Sequence, residues 1–386
     1  MRASSANIGE ENGNVYLNNL IPYEKLGQHE HIGLLVELYE ASKVYKLPNV
    51  EFVQWFDDHP PAEVNLDLAN NRSSWPHGPK AGMAAGVPPV VSWGKSEDSG
   101  VMMVPYCGAF RCPADSFDAL AAKIDTEERV PWAERTDVAF GRWNGFCTYY
   151  YGWPPGSNAI VHTRDGKPVP CPRLHLNSLS EAHPDLLDAY DLGKRGPVPL
   201  AEQRKYKYIV STDGWSISSK FDKYLLMGST VLKAESHRIG FYYPALRPRE
   251  HFLPFMVDSM DDIVDVVKWA REHDAEAKKI GESAAAFARQ HLSRPARLCY
   301  LFHVVNELSK QFKYTPSCSR RKLCVPLVDE LRFLSEDERA NGTCNYREVL
   351  DKYGKSDAAS SPKYGHKELL ALHTDPLHWP RDDVKA

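Results

Sequence analysis

Apolar positions recur along the chain in two rhythms. From about 32 to 45, Leu35, Leu38, Tyr39 and Ser42 share one face at helical spacing, which predicts a helix. Residues 50–56 (VEFVQWF) are rich in β-branched and aromatic types and read as a strand, closed by Asp57-Asp58-His59-Pro60-Pro61. Residues 88–92 (PPVVS) read as a second strand, and 117–124 as a helix. The second half is more regular. Residues 206–212 (YKYIVST) predict a strand broken by Asp213-Gly214. Ser218 or Ser219 suits the cap of a helix carrying Phe221, Tyr224 and Leu225, which Gly228 ends before the strand Thr230-Val231-Leu232. Strand, polar turn, helix and strand make a βαβ unit, hence a parallel sheet.

Further on, Ser259 and Asp262 resemble a capping box ahead of a stripe of Ile263, Val266, Val267 and Ala270. A long helix is predicted from about 295, with Leu298, Leu301, Phe302, Val305 and Leu308 on one face. Residues 1–28 form a polar N-terminal segment whose first twenty read as loosely ordered; beyond about Val325 the chain turns polar, with 326–386 a C-terminal extension whose last fifty residues read as a surface-hugging tail. No internal repeat is visible.

Composition narrows the class. A net charge of −4 with mixed signs gives no broad nucleic-acid footprint. No apolar run reaches the ~18 residues that suggest a membrane span. The start MRASSANIGEENG has no hydrophobic core and does not read as a signal peptide. Eight cysteines without a CxxC pair disfavour a zinc ribbon and permit disulfides. Sequons at Asn71 and Asn341 are weak support for a secretory setting. Gly94-Lys95-Ser96 ends like a P-loop, but residue 89 is Pro where the motif needs Gly. His29-Glu30-His31 lacks further metal ligands at a recognisable spacing, and no G-x-S-x-G is present.

The richest segment is 206–254. A helix start after a strand, preceded by small hydroxyl residues, suits a diphosphate, and Lys220 adds a positive charge there. The segment closes with Phe241-Tyr242-Tyr243-Pro244-Ala245-Leu246-Arg247-Pro248 and His251. In this it resembles glycosyltransferase family 90, whose signature ends in FYPxLKPxxHyxP. Three other stretches agree in order: 52–60 (FVQWFDDHP), 89–105 (PVVSWGKSEDSGVMMVP), and Val130-Pro131-Trp132 through Phe140-Gly141-Arg142. After an insertion, 173–189 resembles the family's arginine-led helix.

The resemblance implies an α/β protein of GT-B type, two Rossmann-like domains facing a central cleft. It places an acceptor-side domain at 29–128, joined by the helix at about 295–325, and a UDP-sugar-binding domain at 129–294. It implies an enzyme that moves xylose or glucose from a UDP-sugar to a glycan or protein hydroxyl, inverting the anomeric carbon. It implies no cofactor and no metal, in keeping with the absence of an Asp-x-Asp triplet. Asp58 matches the catalytic base, with Asp57 as its rival; both residues also suit a simple turn. Arg142, Asn144 and Arg173 match donor positions, Arg173 being the favoured direct contact because its fork suits a phosphate. Trp215, Ser216, Ile217, Ser218, Ser219 and Lys220 match the loop around the diphosphate and ribose, while Trp215 also suits a core. Family members work in the lumen of the endoplasmic reticulum or Golgi.

Two departures stand out. Lys220 replaces the usual Arg, and Trp143 the usual Gly. They keep open a second reading, a catalytically inactive glycan-binding relative. Cys147 and Cys171 bracket the insertion and are expected to form a disulfide; the alternative is two buried thiols.

Overall fold

The computed structural model describes residues 5–11, 14–18, 20–26, 32–55, 66–67, 72–73, 90–96, 101–106, 116–127, 130–145, 162–169, 171–214, 216–339, 346–357 and 363–375. The chain forms two compact units, Met1–Ser116 with Arg294–Ala386, and Phe117–Ser293. The first unit begins with β1 (Ser5–Glu11) and β2 (Asn14–Leu17), then α1 (Gly33–Val44) and β3 (Val50–Trp55). Short strands follow: β4 (Leu66–Asp67), β5 (Arg72–Ser73), β6 (Val90–Ser92), β7 (Gly94–Ser96) and β8 (Met102–Met103).

The second unit starts at α2 (Phe117–Thr126), earlier than the boundary near 128 expected from the sequence. Helix α2 packs on later helices of this unit, which is why it belongs there. Next come β9 (Thr136–Trp143), α3 (Pro172–Ala182), β10 (Leu187–Asp191), α4 (Leu200–Gln203), β11 (Tyr206–Ser211), α5 (Phe221–Leu226) and β12 (Thr230–Ala234). The unit closes with β13 (Arg238–Gly240), β14 (Leu253–Phe255), α6 (Ile263–Glu272) and α7 (Asp274–His291). Its main sheet is parallel throughout, in the order β10-β9-β11-β12-β14. From β9 the chain first steps one way to β10, then crosses to the other side for β11, β12 and β14. That reversal makes a topological switch point between β9 and β11, where open α/β sheets bind ligands outside their carboxyl ends.

One face of this sheet buries Tyr208, Val210, Leu232, Ala234 and Phe255 against Leu176 of α3 and Ile263, Val267 and Ala270 of α6. Each large apolar side chain so buried contributes about 1.5–3 kcal/mol. Helix α7 packs on α5 and β12, and Gly281 makes that approach possible. A Cβ at Gly281 would lie 2.8 Å from the Gly228 carbonyl oxygen. Gly228 itself has φ +66°, the left-handed conformation that ends α5.

The chain then returns to the first unit as α8 (Arg294–Ser309), β15 (Val325–Pro326), α9 (Leu327–Glu336), α10 (Tyr346–Asp357) and α11 (His366–Thr374). The first unit's sheet runs β15-β2-β1-β3-β6-β8. Strands β3, β6 and β8 are parallel, as in a Rossmann-like half, but β1, β2 and β15 are antiparallel. Each unit is therefore α/β, and the parallel strand order is complete only in the second.

Four local expectations are corrected. The opening residues are paired strands; Asn14–Leu17 buries Val15 and Leu17, and β1 gains order through backbone pairing with β3. Among the described residues of the last fifty, Val349, Leu369 and His373 are buried, so this stretch is not simply a surface tail, and just before it Leu327, Leu331, Phe333 and Leu334 are buried as well. Neither Ser218 nor Ser219 caps α5: Lys220 stands at the cap in helical conformation without a side-chain cap bond. Nor does Asp262 complete a capping box. Its carboxylate instead accepts the N–H groups of Met256, Val257 and Asp258, tying the preceding turn to α6.

Candidate active site

The carboxyl ends of β9 and β11 gather polar groups from both faces of the second sheet. Arg173 stands in the first turn of α3, just after Pro172, and is buried. Its Nη1 donates to the Asn144 carbonyl at 2.9 Å, beyond the end of β9. Its Nε donates to the Thr212 hydroxyl at 3.0 Å and its Nη2 to the Thr212 carbonyl at 2.9 Å, beyond the end of β11. One guanidinium thus spans the switch point. Gly214 lets it lie close, since a Cβ there would sit 3.1 Å from both Nη1 and Nη2.

Lys220 approaches the same strand ends from α5. Its Nζ donates to the Arg142 carbonyl at 3.0 Å. Arg142 is also buried, but it turns towards β10. It donates to the Asp188 carbonyl at 2.7 Å, pairs with Asp188 Oδ1 at 2.8 Å, and lies over the Phe140 ring. Its Nε has no partner. Asn144 is exposed and offers its carbonyl to Arg173. Trp143, the departure from the family's Gly, is buried with its ring folded back over Gly141, which has no Cβ to obstruct it.

The loop between β11 and α5 is tightly held. Ser218 N–H donates to Asp213 Oδ1 at 2.7 Å, and the Ser219 carbonyl accepts from Lys223 Nζ at 2.7 Å. Ile217 is buried, and Ser216 is buried with an unpartnered hydroxyl. The Ser211 hydroxyl and Trp143 Nε1 are likewise buried and unpartnered. Buried polar atoms without partners are uncommon in folded proteins, and here four belong to residues at or just after the ends of β9 and β11. Trp215 lies outside the described residues, as do Asp57, Asp58, His29-Glu30-His31 and the sequon asparagines Asn71 and Asn341. So among the expected site residues, Arg142, Asn144, Arg173, Ser216, Ile217, Ser218, Ser219 and Lys220 fall together around one sheet edge.

The sequence reading passed over Asp213 as a strand breaker. Its side chain is fully buried and accepts from Ser218 N–H, Lys233 Nζ (2.7 Å), Ser236 Oγ (2.5 Å) and Tyr243 OH (3.1 Å). Burial by itself would raise the Asp213 carboxyl. The Lys233 ammonium, helped by Ser236 and Ser218, holds it below the ordinary carboxylate value. Burial and the Asp213 charge push the Tyr243 phenol well above its usual value, so it stays a donor. The Tyr-Tyr-Pro stretch therefore reaches the strand end through Tyr243. His251 closes the same stretch on itself, its Nδ1 accepting the Arg247 N–H at 3.0 Å.

Cys171, just before α3, is disulfide-bonded, and its expected partner Cys147 lies outside the described residues. A second disulfide, Cys318–Cys324, was not anticipated; Cys299 is free. Among the described residues no cluster of His, Cys, Asp or Glu is arranged to hold a metal ion. Nor is any described helix long and apolar enough to cross a membrane.

A parallel sheet with cations gathered at its switch point places them where open α/β sheets bind ligands. Residues 164–333 match the model of glycosyl transferase family 90. It is 27% identical over 347 residues to protein O-glucosyltransferase 3 of Mus musculus, covering 84% of this chain and 61% of that protein. With protein O-glucosyltransferase 1 of Homo sapiens it shares 29% identity over 204 residues, 48% of this chain and 51% of the relative. The chain thus spans about three-fifths of the mouse relative's length. Among solved structures it is similar to Anabaena Alr3699/HepE in complex with UDP-glucose, with a TM-score of 0.32 and 11% identity, covering 57% of this chain and 64% of the other.

Proposed function

We propose that the protein is an inverting, metal-independent glycosyltransferase that moves glucose or xylose from a UDP-sugar to a hydroxyl of a glycan or protein. The observation that carries this reading is the approach of Arg173 and Lys220 to the ends of β9 and β11 from α3 and α5. Cations there suit a leaving diphosphate whose charge grows as the sugar departs. The names of the relatives support the reaction class, and glucose as one donor sugar.

In this reading the acceptor oxygen attacks the anomeric carbon from the side opposite UDP. The carbon–oxygen bond to UDP breaks, the acceptor proton passes to the Asp58 carboxylate, and UDP leaves as an anion held by Arg173 and Lys220. Arg142 and Asn144 shape the end of β9, and residues 215–219 wrap the diphosphate and ribose. Work in the lumen of the secretory pathway goes with the two disulfides.

The second reading, a glycan-binding relative without turnover, rests on Lys220 and Trp143. A thermal-shift screen with UDP, UDP-glucose, UDP-xylose, GDP-mannose and ADP-glucose, each with EDTA, tests the donor site. Selective stabilisation by uridine nucleotides in EDTA is the expected result. Folded protein that responds to no nucleotide would remove the transferase reading.

A further inference from the structure

Asp213 has no place in the chemistry above, yet it is the most heavily engaged carboxylate at this sheet edge. Four donors converge on it, from the loop (Ser218 N–H), from β12 (Lys233), from the turn after β12 (Ser236) and from the Tyr-Tyr-Pro stretch (Tyr243). Its side chain is fully buried, so it touches no ligand directly. A carboxylate this deep is costly unless a counter-charge and hydrogen bonds compensate it, and both are present.

The bond from Ser218 has a specific consequence. Asp213 lies two residues beyond β11 and Ser218 precedes α5 by three residues, so one carboxylate oxygen closes the loop that holds Ser216 and Ser218 and leads into Lys220. The other oxygen is held by Lys233 and Ser236 and does not move to follow the loop. On the opposite face Arg173 grips the preceding residue, Thr212. Thr212 and Asp213 are therefore clamped from two sides, and the loop's shape is set before any nucleotide arrives.

We infer that Asp213 is the positioning residue of the donor site: it preorganises the stretch 216–220 for a nucleoside diphosphate, with Tyr243 and Lys233 holding the carboxylate in place. This inference rests on the transferase reading for the identity of the ligand, but not for the order of the loop. Preorganised groups bind without the cost of ordering them, so loss of the clamp weakens binding even where every contact residue remains.

The test uses full-length protein with Asp213→Asn, and with the double change Asp213→Asn/Lys233→Met. The single variant leaves Lys233 buried without its counter-charge and is expected to lose stability. The double variant removes both charges and is expected to recover folding. Two readings are taken on each: amide hydrogen exchange of peptides covering 214–220 in nucleotide-free protein, and UDP affinity by calorimetry. Faster loop exchange in the folded double variant, with UDP affinity down by about tenfold or more, supports the inference. Recovery of loop protection and UDP affinity together with stability would reduce Asp213 to a core ion pair and overturn it. If the wild type binds no UDP, the donor role falls with the transferase reading, whereas the loop's exchange still reports whether Asp213 orders it.

Discussion

Arg173 holds Thr212 twice, through the carbonyl at 2.9 Å and the hydroxyl at 3.0 Å, and with its remaining terminal nitrogen holds the Asn144 carbonyl. A single side chain on α3 thus bonds just beyond the ends of two neighbouring paired strands, β9 and β11. Lysine has one point charge and cannot reproduce three directed bonds on two strands. Arg173→Lys is therefore expected to keep the fold but weaken UDP by about tenfold or more, read by calorimetry. Unchanged UDP affinity would show that the guanidinium fork is not needed.

Gly214 tests the same geometry from the other side. A methyl group there would press on the guanidinium at 3.1 Å, tighter than ordinary contact. Gly214→Ala is expected to lower UDP affinity in the same direction as Arg173→Lys. Because the two changes disturb one contact, their double mutant should be clearly less than additive. Full additivity would separate the two positions.

Turnover should depend on Asp58 in a different way. As the proposed general base it would act on the acceptor and not on UDP. Asp58→Asn should therefore cut transfer by about 10²–10⁴-fold and leave UDP affinity intact. Normal turnover in this variant, with activity lost in Asp57→Asn, would move the role one residue back.

A pH dependence is built into the first unit. His373 is buried between the Ile21 carbonyl, 2.6 Å from Nδ1, and Glu330 Oε2, 3.0 Å from Nε2. Burial favours neutral imidazole, but Glu330, the Ile21 carbonyl and Asp337 together raise the His373 pKa above its ordinary value. A raised folded-state pKa means stability that is present in full below about pH 6.5 and lost as pH climbs through the folded-state value. Urea midpoints should fall over that range in the wild type and much less in His373→Gln. A parallel pH profile in the two would show that His373 is not the titrating group.

Cys318 and Cys324 bracket Arg321, whose guanidinium pairs with the buried Glu51 of β3. The loop is short, so the cross-link should contribute about 2 kcal/mol. Cys318→Ser/Cys324→Ser is expected to lower the unfolding midpoint accordingly. Mapping of unreduced peptides should find Cys171 joined to Cys147; any other partner for Cys171 would discard the expected clamp on the insertion.

Local pattern was enough for the elements that repeat at a regular period. Helix α1, strand β3 and the strand–helix–strand run from β11 to β12 were legible because each carries its apolar period within a few residues. Family resemblance, carried by short motifs, brought Arg142, Arg173 and Lys220 into view. What those side chains hold was not legible. Arg173 reaches residues 29 and 39 positions away, and Asp213 meets Lys233 and Tyr243 at 20 and 30. Such contacts exist only once β9, β11 and β12 lie side by side in parallel register, with Ser211 beside Lys233. An Asp before a Gly reads as a turn in any sequence. Only burial in the folded sheet, with a lysine brought in from the next strand, makes it a fixed anion beside the proposed donor loop.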